Sequence, residues 1–578
     1  MTSVAYRAAT TAAPALLALA ILVATTGLTP PRAHACGGFF CDNNQPVNQA
    51  AERIIFSQNG DGTVTAVVEI LYQGPSERFA WVLPVPGTPD VGISSATAFT
   101  RLQAQTNPVY RMNTAVEGTC REEPFPSSAD AGAAGAFDMM AGDDDDDEAA
   151  PPVVVLDSGT VGPFDFETIG LDPALPNPGD VAIEWLDDNG YDVSAFGGER
   201  LGPYLADGMN LIAFRLRKGT MAGSIRPIVL TYDSDHPMIP IRPTAVAAND
   251  DMGVLVWMLG GGRAVPTNYK SLVVNEALID WFRGGSNYDA VVTEAANEAE
   301  GQGFVTELAI STSTLTPVFR LDEEPPTLEE LGDRREIDVL EQVSRRYAGF
   351  DGILDAATET VPVPPDATIQ DVLNCLSCFF NDPDGKIDGF EVGAFLDALE
   401  TWVVGPMRET QEILDAQPYV TRLYTTMSAD EMTVDPEFDL NMDLGDVSNV
   451  HVAERVIECN RRVTVNQAPW RATLENGDVV RGVGNRWPFQ IGDAADLPAN
   501  RRIEQASTVG ANTVVSDNAL AIQAALDAQN ASVPGELSPS GGGASCATVG
   551  PRPDRSGLAA ALAVAATLLV ARRRRHRG

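Results

Sequence analysis

Positive charge is scarce in this chain: 39 lysines and arginines face 80 aspartates and glutamates across 578 residues. That balance excludes nucleic-acid binding, because neutralising phosphates needs the opposite sign. Nine of the 39 are arginines within residues 1–35 and 547–578, so the middle of the chain is more acidic still. Such a surface reads first as a solvated acidic coat. Histidine is rarer, and only His236 and His451 stand between residues 36 and 546. Neither H-E-x-x-H nor G-x-S-x-G occurs, which removes the commonest exported hydrolase signatures. Gly260-Gly261-Gly262 is followed by no G-K-[ST], so it is no phosphate loop. No internal repeat is evident at the usual periods. What remains is 44% apolar, enough for two to four domains with a large core.

The two ends read as addresses. Arg7 precedes an apolar run from about Ala15 to Val23, then Pro30-Pro31 and the small-x-small triplet Ala33-His34-Ala35. This is the pattern of a signal peptide cut before Cys36. Ala33 stands where a lipobox prefers leucine, which favours ordinary cleavage over lipid attachment. At the other end a Gly/Ser/Pro-rich linker leads to Cys546, the apolar stretch Gly557–Ala571 and the arginines Arg572–Arg575. That stretch is shorter than the roughly 20 residues a stable span prefers, and the arginines would stay cytoplasmic. Cysteine, short hydrophobic helix and terminal arginines together resemble the sorting tails of myxobacterial surface proteins. The resemblance implies processing near Cys546 and display on the cell surface. A plain tail anchor is the alternative. The expected partners are export and tail-processing machinery, with the membrane engaged through the tail.

Between these ends the pattern predicts an α+β protein: a β-rich N-terminal half, a helical insertion and a closing C-terminal hairpin. Ile54–Phe56 and Val64–Tyr72 form a hairpin through Asn59-Gly60-Asp61-Gly62. Phe79–Val85, Val153–Leu156, Asn210–Arg217, Ser224–Tyr232 and Met252–Leu259 read as strands, and Asp180–Asp188 as a short helix. The central stretch Asn268–Ala309 reads as strand, helical turns, helix, strand. Ser286 or Asn287 is placed to cap the helix that buries Tyr288, Val291, Val292 and Ala295. The boxes Thr327-x-x-Glu330 and Ser428-x-x-Glu431 each predict a helix start, the first opening a long helix through Tyr347. Asp517–Asn530 reads as a last helix. The domain plan is signal peptide 1–35, β-rich segment 36–122, disordered acidic insertion 123–152, central α+β core 153–325, helical region 326–458, closing hairpin and helix 459–530, linker 531–545 and sorting tail 546–578.

Chemistry-bearing residues are few. Phe380–Glu391, FNDPDGKIDGFE, follows the twelve-residue calcium loop with Gly385 at position 6. Asp382, Asp384, Asp388 and Glu391 would be the ligands, but Phe380 replaces the aspartate expected at position 1. Calcium at this loop and a metal-free helix-loop-helix both stand, and no other cofactor is implied. The run Asp143–Asp147 lacks the spacing glycines that would let its carboxylates converge on an ion. Six cysteines besides Cys546 favour disulfides in an exported chain. Cys36 with Cys41 and Cys375 with Cys378 are local candidates, leaving Cys120 with Cys459. Six cysteines allow 15 pairings, so this is a preference. A redox role for Cys375-Leu-Ser-Cys378 is the minor alternative. Asp233, Asp235 and His236 read as turn chemistry or a metal site, and Glu294 with Glu298 as a solvated or acid–base pair on one helix face.

ACGGFFC near residue 36, VGPFDFETIG at 161–170, WLDDNGY at 185–191, NEALIDW at 275–281, NYDAVVTEAANEAEGQGFVTE at 287–307 and TRLYTTMSADEMTVDPEF at 421–438 resemble a bacterial family, domain of unknown function 2330. The resemblance implies an exported bacterial protein with no assigned activity, and it supplies no catalytic residue. The leading functional reading is a non-enzymatic surface protein for binding or envelope structure. Its rival is an exported hydrolase with a carboxylate or metal site near Asp233–His236 or in the central stretch.

Overall fold

A computed structural model of the chain describes residues 48–73, 80–121, 153–191, 198–217, 225–246, 248–489, 491 and 497–534. The strands begin with β1 (Asn48–Gln58), β2 (Thr63–Gln73), β3 (Ala80–Val85), β4 (Asp90–Ile93) and β5 (Val109–Glu117). Then come β6 (Val154–Val161), β7 (Phe164–Gly170), β8 (Asn210–Leu216), β9 (Ile228–Asp233) and β10 (Ala248–Gly260). The central stretch adds β11 (Arg263–Pro266), β12 (Lys270–Val274) and β13 (Gly303–Ser311). After a helical stretch follow β14 (Tyr419–Met427), β15 (Phe438–Asn441), β16 (Val450–Glu458), β17 (Pro469–Thr473), β18 (Val479–Val483), β19 (Asn500–Gln505) and β20 (Thr513–Asp517).

Ten of these strands form one mixed sheet in the order β20-β19-β12-β13-β14-β10-β1-β2-β9-β4. The β1–β2 hairpin closes through Asn59–Gly62, with Gly62 at φ +88°, a conformation a side chain would strain. β1 also pairs in parallel with β10, which lies nearly 200 residues further on in sequence. β10 is buried on both faces because its alternation is apolar on both. Met252, Val254, Val256 and Met258 point one way, and Leu255, Trp257 and Leu259 the other. The first face packs on a second sheet, β3-β8-β7-β6, through Trp81, Phe164, Phe166 and Phe214. The opposite face is covered by the helix Ala96–Thr106, whose Phe99 meets Trp257 edge-on at 5.9 Å. Full burial of such side chains contributes about 1.5–3 kcal/mol each.

The fold class is as expected: mixed α and β, with the β-rich half first. The helical insertion leaves the sheet after β13 and returns at β14, the strand antiparallel to it. Its neck is closed by Thr312 N donating to Pro418 O at 3.1 Å. Within it, Val339, Leu340, Val343, Tyr347, Phe395 and Trp402 build a core of their own. The C-terminal hairpin is β17–β18, turning at Asn476-Gly477 with Gly477 at φ +88°. Among the described residues no helix is long and apolar enough to cross a membrane. The expected signal peptide, Cys36, Cys41, the aspartate run and the expected sorting tail with Cys546 lie outside the described residues.

Three local expectations are corrected. The box at Thr327–Glu330 is present, but its helix is only Leu328–Leu331. Gly332, at φ +57°, breaks the chain before a second helix at Glu336–Arg346. Ser428 N donates to Glu431 Oε2 at 2.7 Å, yet no helix follows. Here β-branched Thr433 and Val434 lead into Pro436, and the chain returns to extended structure in β15. Asn287 does not cap its helix. Its amide instead bonds Leu278 O and Asp280 N, at 2.8 and 2.7 Å, and braces the preceding loop.

One carboxylate joins the insertion to the sheet. Asp351 accepts from Ser95 Oγ, Ala96 N, Thr97 N and Thr97 Oγ1 at the N-terminus of the Ala96–Thr106 helix, and from Arg226 Nη1. The helix dipole and its orphan N–H groups favour an anion there. Arg226 is held in turn over Trp402, 5.7 Å from the ring centre. Gly352 permits this approach, because a Cβ there would overlap the Arg226 guanidinium and Trp402 O.

Two acids, one half-buried and one buried, make opposite predictions. Burial pushes Asp351 up, but Arg226 and the Ser95 and Thr97 donors pull it further down, below the ordinary 3.8. Its contribution is therefore present above that value and is lost as pH falls through the folded-state pKa. Asp351→Asn should lower stability at neutral pH by about 3 kcal/mol, with a gap that closes in acid. Glu52 behaves the other way, pushed up by burial from 4.5 to about 7. Folding takes up a proton in that window, so stability falls as pH rises from 4.5 to about 7, by roughly 3 kcal/mol. Glu52→Gln should remove that share of the slope and leave the share of Glu69, which burial also raises to about 7. Denaturant unfolding across pH for both variants checks the two signs.

Candidate functional site

The central stretch places a cluster of polar and aromatic side chains where three elements meet. β5 and β16 pair in parallel with Tyr110 opposite His451. Their rings stack at 4.6 Å with 14° between planes. His451 Nδ1 lies 2.7 Å from Glu276 Oε1, on the short 3-10 turn after β12. Trp281 meets Tyr110 edge-on at 5.1 Å. Gly285, at φ +79°, lets the chain pass this ring, since a Cβ there would come within 2.5 Å of Tyr110. Tyr288 then opens the helix Tyr288–Asn297 beside Tyr110 and Tyr424.

Beneath this aromatic wall is a buried ion pair. Glu307 is the extra residue at an irregularity where β13 pairs with β14 between Thr306 and Leu308. Bulges re-aim side chains, and here the carboxylate meets Arg422 Nε at 2.5 Å. Arg422 also donates to Thr106 Oγ1 at 3.0 Å and lies over Trp257. Burial raises the Glu307 carboxyl, and Arg422 and the neighbouring Tyr288 phenol only partly offset it. Tyr110 and Tyr288 are raised as well, by burial first and then by nearby carboxylates. Tyr288 and Glu307 line two clefts, so they form a polar septum between them. The larger cleft, about 670 Å³, is also lined by Tyr110, Glu276 and His451, with Arg263 and Arg502 among its other residues. The smaller, about 430 Å³, is lined by Arg53, Asp289 and Arg422. The arrangement supplies an oriented histidine–carboxylate pair, an aromatic wall and charges of both signs.

Glu298 is not the solvated partner of Glu294. Its carboxylate accepts from Ala499 N and Asn500 N, at 2.7 and 2.9 Å, and from Asn500 Nδ2. It clips the helix end to β19, a structural task invisible in i, i+4 spacing. Asp233 ends β9, and His236 faces Asp439 at 3.8 Å on the surface. In the calcium-like loop, Asp382 Oδ1 accepts from Asp384 N and Lys386 N, at 2.9 and 3.3 Å. Ile387 N donates to Glu336 Oε2 at 2.7 Å, and Ile337 N to Gly385 O. The loop is thus pinned to the Glu336–Arg346 helix, while Glu391 begins the helix Val392–Leu399 without capping it. Among the described residues, no three His, Cys, Asp or Glu side chains gather as a metal ion requires, those of Asp382, Asp384, Asp388 and Glu391 included. Cys120 is joined to Cys459, and Cys375 to Cys378.

No sequence motif marks Tyr110, Glu276, Glu307 or Arg422. The available signal was a single charge inside an apolar strand, Glu307 in FVTELAI and Arg422 in TRLYTTM. Each needs a buried partner of opposite sign.

Arg422→Met should leave Glu307 buried without its cation and lower stability by about 3–5 kcal/mol. Adding Glu307→Gln should recover most of that loss. Chemical denaturation of the single and double variants tests the coupling, and additive losses would show that the pair is not a unit.

The matching family model is described as "Uncharacterized protein conserved in bacteria (DUF2330)" and covers residues 30–353. The match spans β1 to β13, the central stretch included, and ends within the helical insertion; the Thr421–Phe438 phrase lies beyond it. No curated protein and no solved structure matches the chain. With more than half of its length matched, the chain belongs to the bacterial family DUF2330.

Proposed function

We propose that this chain is an exported, surface-tethered binding protein whose ligand enters the cleft walled by Tyr110, Glu276 and His451. The observation that carries the reading is the make-up of that cleft. It offers about 670 Å³ beside a stacked Tyr110–His451 pair, with acids and arginines on its walls. Largely preformed sites with a few convergent polar groups are the usual form of small-molecule sites. Glu298, one of the carboxylates that suggested chemistry, is committed to backbone N–H groups, and Glu307 is committed to Arg422. Export and tethering rest on the sequence of the two ends, the run before Cys36 and the stretch after Cys546. Calcium at Asp382–Glu391 is no part of this reading. The hydrolytic alternative draws on one specific feature, the His451–Glu276 pair, which has the form of an oriented general base.

The test is retention of small molecules from envelope extract, read by mass spectrometry of the eluate. The wild-type chain should retain species that Tyr110→Ala and Glu276→Gln lose. An identical eluate from both variants would remove the cleft from the reading, and accumulation of cleaved fragments dependent on His451 would favour the hydrolase. Tethering is checked by fractionating cells that express the full chain or a chain ending at Ser545. The truncated form should appear in the medium, and equal release of both would refute the tether.

A further inference from the structure

Glu52 is the acid for which the cleft of Tyr110, Glu276 and His451 provides no explanation. On β1 it stands opposite Ile70 of β2 and Val254 of β10, both of which face the space between the two packed sheets. Its neighbour Arg53 points the other way, to Glu69 and Gln103 beneath the Ala96–Thr106 helix. The Glu52 side chain is therefore directed into the inter-sheet core, where it is only 5% exposed. Its Oε2 meets no hydrogen-bond donor among the described residues. Beside it lies a cavity of about 220 Å³, lined by Leu83, Val85, Met209 and Ile239 and opening toward Ser234 and His236.

A lone carboxyl in such a place is costly. Left without a donor, a buried polar group forfeits its hydration with no return. A hydrocarbon side chain would serve packing better. An apolar cavity of about 150 Å³ is enough to hold benzene, so this one has room for a ring and a short chain. Its walls are mostly hydrocarbon, with the phenol of Tyr232 among them, and the unmet oxygen of Glu52 belongs to an acid. The rim adds the same sign: Asp233 and Asp235 flank Ser234, and Asp439 faces His236. An acidic mouth raises the local concentration of cations and disfavours anions.

We infer that the inter-sheet cavity binds a small primary amine with a hydrocarbon body, its ammonium donating to the Glu52 carboxylate and its hydrocarbon lying against Leu83, Met209 and Ile239. Glu52 also borders the cleft of about 430 Å³, but the cleft of about 670 Å³ that carries the proposed function does not include it, and the inference does not depend on that function. A carboxylate oxygen that lacks a donor forms a charge-assisted hydrogen bond with an ammonium without giving up an existing one, and Glu52 Oε2 meets that condition.

The probes are phenethylamine, 2-phenylethanol and 3-phenylpropanoate, titrated into the full chain by calorimetry. Phenethylamine should bind saturably, the alcohol more weakly and the carboxylate not at all. Glu52→Gln should weaken phenethylamine by at least about tenfold, the scale of a hydrogen bond to a charged group, and bring it level with the alcohol. Because Glu52→Gln is expected to be at least as stable as the wild type, loss of binding in it cannot be put down to unfolding. Leu83→Trp, which fills the cavity, should abolish binding of both neutral and cationic probes. Equal binding of the carboxylate, a phenethylamine affinity unchanged by Glu52→Gln, binding that survives Leu83→Trp, or no binding by the wild-type chain would each overturn the assignment.

Discussion

The carboxylate of Asp351 ties together two separately cored parts of this protein, with Arg101–Glu323 and Ser94–Thr410 as further joints between them. The helical insertion has its own interior around Leu340, Tyr347 and Trp402. The sheet has its own interior on each face. Asp351 reaches from the first to the exposed N–H groups of the helix that covers the second, and Arg226 closes the charge. The Ala96–Thr106 helix in turn carries Phe99 and Leu102 onto Trp257 and supplies Thr106 to Arg422. Loosening the Asp351 contact would thus be felt at the ion pair of the candidate cleft, through one rigid helix.

What the sequence made legible follows from how local the cause was. The β1–β2 hairpin is set by alternation over a few residues and by a glycine in its turn, and it appears where expected. The helix Tyr288–Asn297 follows from apolar residues at helical spacing, and Val291, Val292 and Ala295 are buried as that spacing requires. β14 was not legible. Thr421, Thr425 and Thr426 are buried there, and Arg422 interrupts the apolar pattern, because the strand lies among neighbours that accept polar side chains. Asp351 sits in Gly349-Phe-Asp-Gly352, which reads as an ordinary surface turn. Its partners lie more than 250 residues away in sequence, at Ser95 and Thr97.

The same limit governs the candidate site. Tyr110 and His451 are adjacent only because β5 and β16 pair in parallel across most of the chain. Composition identified His451 as one of few histidines but could not supply Glu276 as its partner. The i, i+4 spacing of Glu294 and Glu298 was real and misleading, since the partner that decides the role of Glu298 is the backbone at Ala499 and Asn500. Spacing along a helix reports which side chains share a face. It does not report what the face is packed against.

Three acids drawn wholly or partly out of water show how one physical penalty is met in different ways. Asp351 accepts several donors and an arginine, and its carboxyl is held below the ordinary range despite burial. Glu307 has Arg422 beside it, brought within reach by a strand irregularity, yet burial still wins and its carboxyl is raised. Glu52 has burial alone acting on it. The first two are solved internally, because their charges are part of the joints that hold the sheet, the helix and the insertion together. No joint runs through Glu52, since its strand is already fixed by β2 and β10 on either side and by apolar neighbours above and below. A buried acid that holds nothing together, next to an apolar cavity with an acidic rim, has its missing partner outside the chain.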